Sequence, residues 1–307
     1  MAHAMPQVDG VEHRFVRAGE TSFHVALAGE GDPLLLVHDW PQHWYAWRHV
    51  IPRLAERHRV VALDLRGFGW SDIAWQGFET PSLVADVVAV VDELELERVG
   101  FLGHGWGGWV GFNAALEHPD RIGRLCALGA LPPWLRPSPR ALAALLRLRS
   151  QVAVATPFLG PRLCRIGGFV TGTLRRSAAD RSRLDDGALR LYARDLRAST
   201  RARAAALLNR TFLTRELVPV LAGRNRGRRL TVPTLVLTGE HDLLSPELIA
   251  RRPLPADDLS FETVPGAGHL LPEERPDVVV DRALGFFAAG AGDAGAGAPI
   301  SAPAGPS

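Results

Sequence analysis

Three turns in this sequence of 307 residues hold side chains that can move protons. Gly239-Glu240-His241-Asp242 ends an apolar run on a carboxylate, and Pro265-Gly266-Ala267-Gly268-His269 ends another on an imidazole. An imidazole oriented by a carboxylate is a general acid or base matched to neutral pH. His38-Asp39-Trp40-Pro41 adds a second carboxylate after a third apolar run. A fourth turn, Gly103-His104-Gly105-Trp106-Gly107-Gly108, leads into a helical pattern and is glycine at four of its six positions.

Taken alone, that fourth turn matches the G-x-G-x-x-G pattern in which glycines let the backbone approach a pyrophosphate. The reading lacks its acid, because the next strand ends on Cys126-Ala127-Leu128-Gly129, and His104 and Trp106 would crowd the phosphates. The better match is a strained strand-to-helix turn, Gly-x-nucleophile-x-Gly, whose small neighbours let the middle side chain stand exposed. Asp242 and then His269 follow it in the chain order of nucleophile, acid, histidine.

With these motifs, together with Asp64-Leu65-Arg66-Gly67-Phe68-Gly69-Trp70-Ser71 and the aromatic Trp44 and Trp47, the chain resembles the α/β-hydrolases of the epoxide hydrolase and haloalkane dehalogenase branch from Phe15 to Ala288. The resemblance implies an aspartate or serine at position 105 and a glycine at position 39, so the two residue types have changed places. Gly105 has no atom with which to attack, which leaves the nucleophile position vacant and excludes the family's two-step route through an ester at that residue. The expected chemistry is therefore general acid/base catalysis by Asp39 and by His269 oriented by Asp242. The amides of Trp40 and Trp106 are the expected donors to developing negative charge. His38 and the cap residue Tyr192 are the further substrate-binding candidates, Tyr192 because epoxide hydrolases hold the epoxide oxygen with cap tyrosines. Hydrolysis of an epoxide, elimination and cyclisation of a polyketide-like intermediate all fit such a site. The alternatives are a ligand-binding protein without catalysis and an epoxide hydrolase disabled at its nucleophile.

The elements that must position these turns are legible as well. Apolar runs at Pro33–His38, Arg59–Leu63, Val99–Leu102 and Ile122–Leu128 alternate with helical patterns at 44–56, 81–94 and 106–117, which predicts a mostly parallel sheet flanked by helices. The strands His13–Val16 and Ser22–Ala28 precede them. From 131 to 230 the text is rich in Arg, Ala and Leu with helical periodicity, as at Ala141–Leu148 and Leu189–Leu208, and reads as an all-helical cap inserted after the sixth strand. The sheet resumes at 233–238 and 259–264 and closes with a helix over 274–288. The α/β core is thus 11–130 with 231–288, after a flexible 1–10 and before a tail at 289–307 too poor in apolar residues to fold.

Composition bounds the rest. With 47% hydrophobic and 22% charged residues and a net charge of +2, the chain has no basic stripe for nucleic acid. No apolar run is long enough for a membrane span. Cys126 and Cys164 lie far apart in apolar stretches, which suits free buried thiols in a cytoplasmic protein. No spacing suggests a metal or an organic cofactor. The expected partner is a small to medium apolar molecule, bound by a monomer or homodimer.

Overall fold

The computed structural model describes residues 4–135, 149–242 and 254–288. Its strands are β1 (Glu12–Ala18), β2 (Thr21–Ala28), β3 (Asp32–Val37), β4 (His58–Leu63), β5 (Val99–His104), β6 (Ile122–Leu128), β7 (Thr234–Gly239) and β8 (Leu259–Val264). They form one sheet in the order β1-β2-β4-β3-β5-β6-β7-β8. The pairs β1–β2 and β2–β4 are antiparallel, and every other pair is parallel.

The central strands are apolar throughout because both faces are covered. In β3, Leu35 and Val37 pack with Val61, Leu63 and Phe101 on one face, while Leu34 and Leu36 pack with Val60, Ala62 and Leu102 on the other. This period of two buries residues 34–37 on both faces, between helical layers. The helices α1 (Thr80–Glu93) and α2 (Trp106–Glu117) cover part of these faces. Close approach of α2 requires its glycines: a Cβ on Gly107 would lie 2.0 Å from the Val37 carbonyl oxygen. Gly107 N–H instead donates to the His38 carbonyl at 3.1 Å, tying the start of α2 to the end of β3.

Between β6 and β7 the described residues form helices, at Arg149–Ala155, Leu159–Cys164, Gly167–Ser177, Asp186–Asp195, Ser199–Thr211 and Leu217–Leu221. A π-helical turn, Phe212–Glu216, joins the last two. Pro219 lacks the amide that would bond back to Arg215, which fits a widened turn just before it. The helix expected over 44–56 is instead a 3₁₀ turn, Trp44–Trp47, and a short helix, Ile51–Leu54, because Pro52 can only occupy a helix start. Leu189–Leu208 is likewise split at 196–198, and Pro276 separates Leu271–Glu274 from Pro276–Ala288. Ala141–Leu148 and the tail at 289–307 lie outside the described residues. No described helix is long and apolar enough to cross a membrane.

Candidate active site

The parallel register carries four strand ends to one edge of the sheet. Val37 pairs with Gly103 and His104 with Leu128, so the turn after β3 lies beside the turn after β5. β7 and β8 pair through Gly239 and Val264, which brings the turns bearing Asp242 and His269 together in the same way. At this edge His269 Nδ1 is 2.9 Å from Asp242 Oδ2, and His269 Nε2 is 3.1 Å from Asp39 Oδ2. Asp39 Oδ1 accepts from the Trp106 amide, the first of α2, at 2.8 Å. One imidazole thus bridges two carboxylates, and all three side chains are buried or nearly so.

Gly105 stands between β5 and α2 with φ +49°, in the left-handed region that favours glycine. A Cβ built on it would fall 2.2 Å from Asp39 Cγ and Oδ1. The carboxyl group of Asp39 therefore fills the space into which a side chain at 105 would project.

Burial alone would lower the basicity of His269, but Asp242 first and Asp39 second outweigh it and raise its pKa well above 6.5. Burial opposes the charge of Asp39, yet the hydrogen bond and charge of His269, with His104 and the Trp106 amide, hold its pKa below the usual 3.8. The resting pair at neutral pH is an imidazolium facing a carboxylate.

His104 is fully buried and its Nε2 donates to the His269 carbonyl at 2.8 Å, which fixes the backbone under the imidazole. Burial lowers its pKa to about 4, so the ring is neutral, and its Nδ1 has no partner. Asp39, His104 and His269 place donor atoms within 4.8 Å of one another, a set that could hold a metal ion. The sequence pattern did not indicate this grouping, because the three residues come from three separate turns.

The other candidates are placed differently. Asp39 takes its hydrogen bonds from Trp106 and His269, and none from the Trp40 amide. His38 Nδ1 donates to the Asp39 carbonyl at 2.9 Å and its Nε2 accepts from the Leu65 amide at 3.0 Å, so both nitrogens hold the β3 turn in shape. Tyr192 is fully buried, with its hydroxyl donating to Glu273 Oε1 at 2.8 Å and 3.4 Å from Arg48. Its hydroxyl is engaged at the seam between cap and core. Trp44 and Trp47 are core, whereas Trp106 is half-buried and meets Phe212 of the π-helical turn edge to face at 5.0 Å.

Two acids escaped the sequence reading. Glu273 forms a bidentate pair with Arg48 at 3.0 and 2.6 Å. Glu274 accepts from the amides of Gly268, Leu270, Ala179 and Asp180, and the His269 amide donates to Ser177, so the histidine turn is fastened to the cap. Two consecutive acids in the otherwise apolar stretch after His269 were the available signal.

Residues 32–276 match the family described as the alpha/beta hydrolase fold. A soluble epoxide hydrolase from Corynebacterium sp. (strain C12) is 32% identical over 273 residues, covering 86% of this chain and 93% of its own. The ligand-free epoxide hydrolase CorEH superposes with a TM-score of 0.79 and 30% identity, over 91% of this chain and 99% of its own. A fluoroacetate dehalogenase from Burkholderia sp. is 34% identical over a shorter stretch, 41% of this chain and 43% of that protein. On these grounds the chain belongs to the alpha/beta hydrolase fold family, in its epoxide-hydrolase-like branch.

Proposed function

We propose that this enzyme adds water to an epoxide on a small to medium, largely apolar and uncharged molecule, releasing a vicinal diol. The observation that carries the reading is the buried line from Asp39 through His269 to Asp242, beside the first amide of α2. Opening an epoxide needs an anionic group at the carbon, a proton for the departing oxygen and a base for water. Asp39 and His269 supply these from adjacent atoms, in the protonation states that their environment favours. Elimination and cyclisation draw on the same acid and base, but a soluble epoxide hydrolase and the epoxide hydrolase CorEH match this chain over most of its length, which favours hydrolysis. A protein that only binds its ligand has no use for an imidazole held between two carboxylates.

The test is diol formation by the purified protein from a panel of aryl and alkyl epoxides. In Asp39→Asn the shape is kept and the charge is lost, so turnover should fall about a hundredfold to ten-thousandfold with an unchanged fold by circular dichroism. Turnover within about threefold of the parent would make Asp39 a bystander and overturn the assignment.

A further inference from the structure

We infer that Asp39 is a nucleophile displaced from the elbow to the neighbouring turn, and that the reaction passes through an ester on its side chain. The inference deepens the proposed hydrolysis and rests on it. The expectation that a glycine at 105 excludes a two-step route ties the attacking group to one chain position. Space does not impose that tie.

Three observations place the carboxyl group of Asp39 where an attacking group is needed. It occupies the volume in front of Gly105, since a Cβ there would lie 2.2 Å from its Cγ and Oδ1 and 2.7 Å from Oδ2. Its two oxygens have distinct surroundings. Oδ1 is held by the Trp106 amide at the start of a helix of 12 residues, where partial positive charge stabilises an oxyanion. Oδ2 faces His269 Nε2 at 3.1 Å, with Asp242 fixing the far side of the ring. The glycine adds its own part: with no side chain at 105, nothing from the elbow competes with Asp39 for this space.

The steps balance as follows. Oδ2 attacks one epoxide carbon and forms a carbon–oxygen bond as the ring bond from that carbon to the epoxide oxygen breaks. The electron pair goes to that oxygen, which takes the proton of the His269 imidazolium, directly or through one water. Esterification removes the negative charge of Asp39, one of the two charges that raise the basicity of His269, so the ring yields its proton more readily at this point. Neutral His269 then takes a proton from water, whose oxygen attacks Asp39 Cγ. The tetrahedral intermediate carries its charge on Oδ1 beside the Trp106 amide and collapses, expelling the diol oxygen, which takes the remaining proton of the attacking water. The carboxylate and imidazolium are restored, and one oxygen of Asp39 now comes from water.

That last consequence is the test. The unmodified enzyme, in excess over a styrene-type epoxide, is allowed one turnover in heavy-oxygen water and then digested with trypsin. Asp39 falls on the peptide Ala18–Arg48 and the elbow on Val99–Arg121, so the two sites are read separately. The expected result is one heavy oxygen on Asp39, located by fragmentation, and a first-turnover diol with none from the solvent. Heavy oxygen in that diol with none on Asp39 would overturn the inference while leaving the hydrolase reading intact, with Asp39 as a base. Label on Val99–Arg121 would also overturn it. Failure to form diol from any epoxide of the panel would remove both.

Discussion

Two buried polar clusters lie at the turns that follow β3 and β8, and they differ in the groups that hold their charges. The cluster of Arg48, Glu273 and Tyr192 joins one cation to one carboxylate in a bidentate contact, and the tyrosine hydroxyl donates to the same acid. Gln42 adds a further donor at 3.3 Å. Asp185 also lies 4.0 Å from the same guanidinium. The line of Asp39, His269 and Asp242 instead sets one imidazole between two carboxylates, and Asp39 also accepts from a backbone amide. A buried carboxylate is costly unless hydrogen-bonded, and Asp39 is held by the imidazole and by the first amide of α2. The first, closed cluster fastens cap to core, and the second, open one holds the residues proposed to react.

The sharpest way to break this contrast is to add a carboxylate to the open line. Gly105→Asp would put a Cβ 2.2 Å from Asp39 at a backbone φ of +49°, crowding two acids into one space. One of them must bind a proton, since like charges so close cannot both ionise. Diol formation should fall by about a hundredfold or more, and thermal melting should show a loss of about 1–3 kcal/mol from overpacking. The double change Asp39→Gly with Gly105→Asp should be faster than either single variant, because the coupling between neighbouring sites is not additive. A double variant as slow as the singles would show that the two positions do not share one carboxylate site.

Titration follows in size. On the proposed route Asp39 acts ionised, and its pKa is held below 3.8, so kcat/KM should fall only as pH drops below about 3.8. His269 must be protonated and its pKa is raised well above 6.5, so the alkaline limb should lie well above that value. The same signs govern stability. The lowered carboxylate stabilises the fold above 3.8 and loses that contribution as pH falls through its folded value. The raised imidazole stabilises it below 6.5 and loses that contribution as pH rises through its folded value. A rate that rises through pH 6.5 on loss of a single proton would mean that the free base of His269 is the resting form, and would reverse the assigned charges.

Much of this could be read along the chain. Strands buried on both faces, such as β3 and β7, announce themselves as apolar runs, and the acid turn follows β7, while the histidine turn follows the more exposed edge strand β8. The line from His269 to Asp242 was therefore accessible from turn composition. The expected exchange between positions 39 and 105 rests on two departures from a pattern; that Asp39 fills the space in front of Gly105 is decided by the register of β3 and β5. Residue type and location suggested Tyr192 for the site. Neither tells a free hydroxyl from one already donating to a buried acid 81 positions away. The Glu273 and Glu274 contacts were hidden for the same reason, since their partners lie in the cap and in the turn after β3.

Breaking the closed cluster should act on the fold more than on the rate. Arg48→Ala leaves Glu273 buried without its cation, and loss of one partner of a buried pair costs about 3–5 kcal/mol. Urea unfolding should register that loss. At a temperature where the variant remains folded, turnover should fall less than in Gly105→Asp. A collapse of turnover with unchanged stability would place Arg48 in the reaction and erase the division between the clusters.

The smallest effect on turnover belongs to Tyr192→Phe, and it separates two accounts of one hydroxyl. If that hydroxyl held the epoxide oxygen, its removal would withdraw a proton donor from the reacting atoms and slow turnover about a hundredfold or more. Here it donates to Glu273, and burial together with that acid keeps it in the neutral phenol form. Its loss leaves Glu273 still paired with Arg48 in two contacts, so no charge is stranded. The expected cost is that of one hydrogen bond to a charged group, about 1.5–3 kcal/mol of stability, and the ring itself still fills the seam against His43. Turnover should stay within about threefold, because on the proposed route the proton for the departing oxygen comes from His269. A hundredfold fall with an unaltered melting temperature would bring Tyr192 back to the epoxide oxygen, and would mean that the cap closes on substrate by releasing this hydroxyl from Glu273.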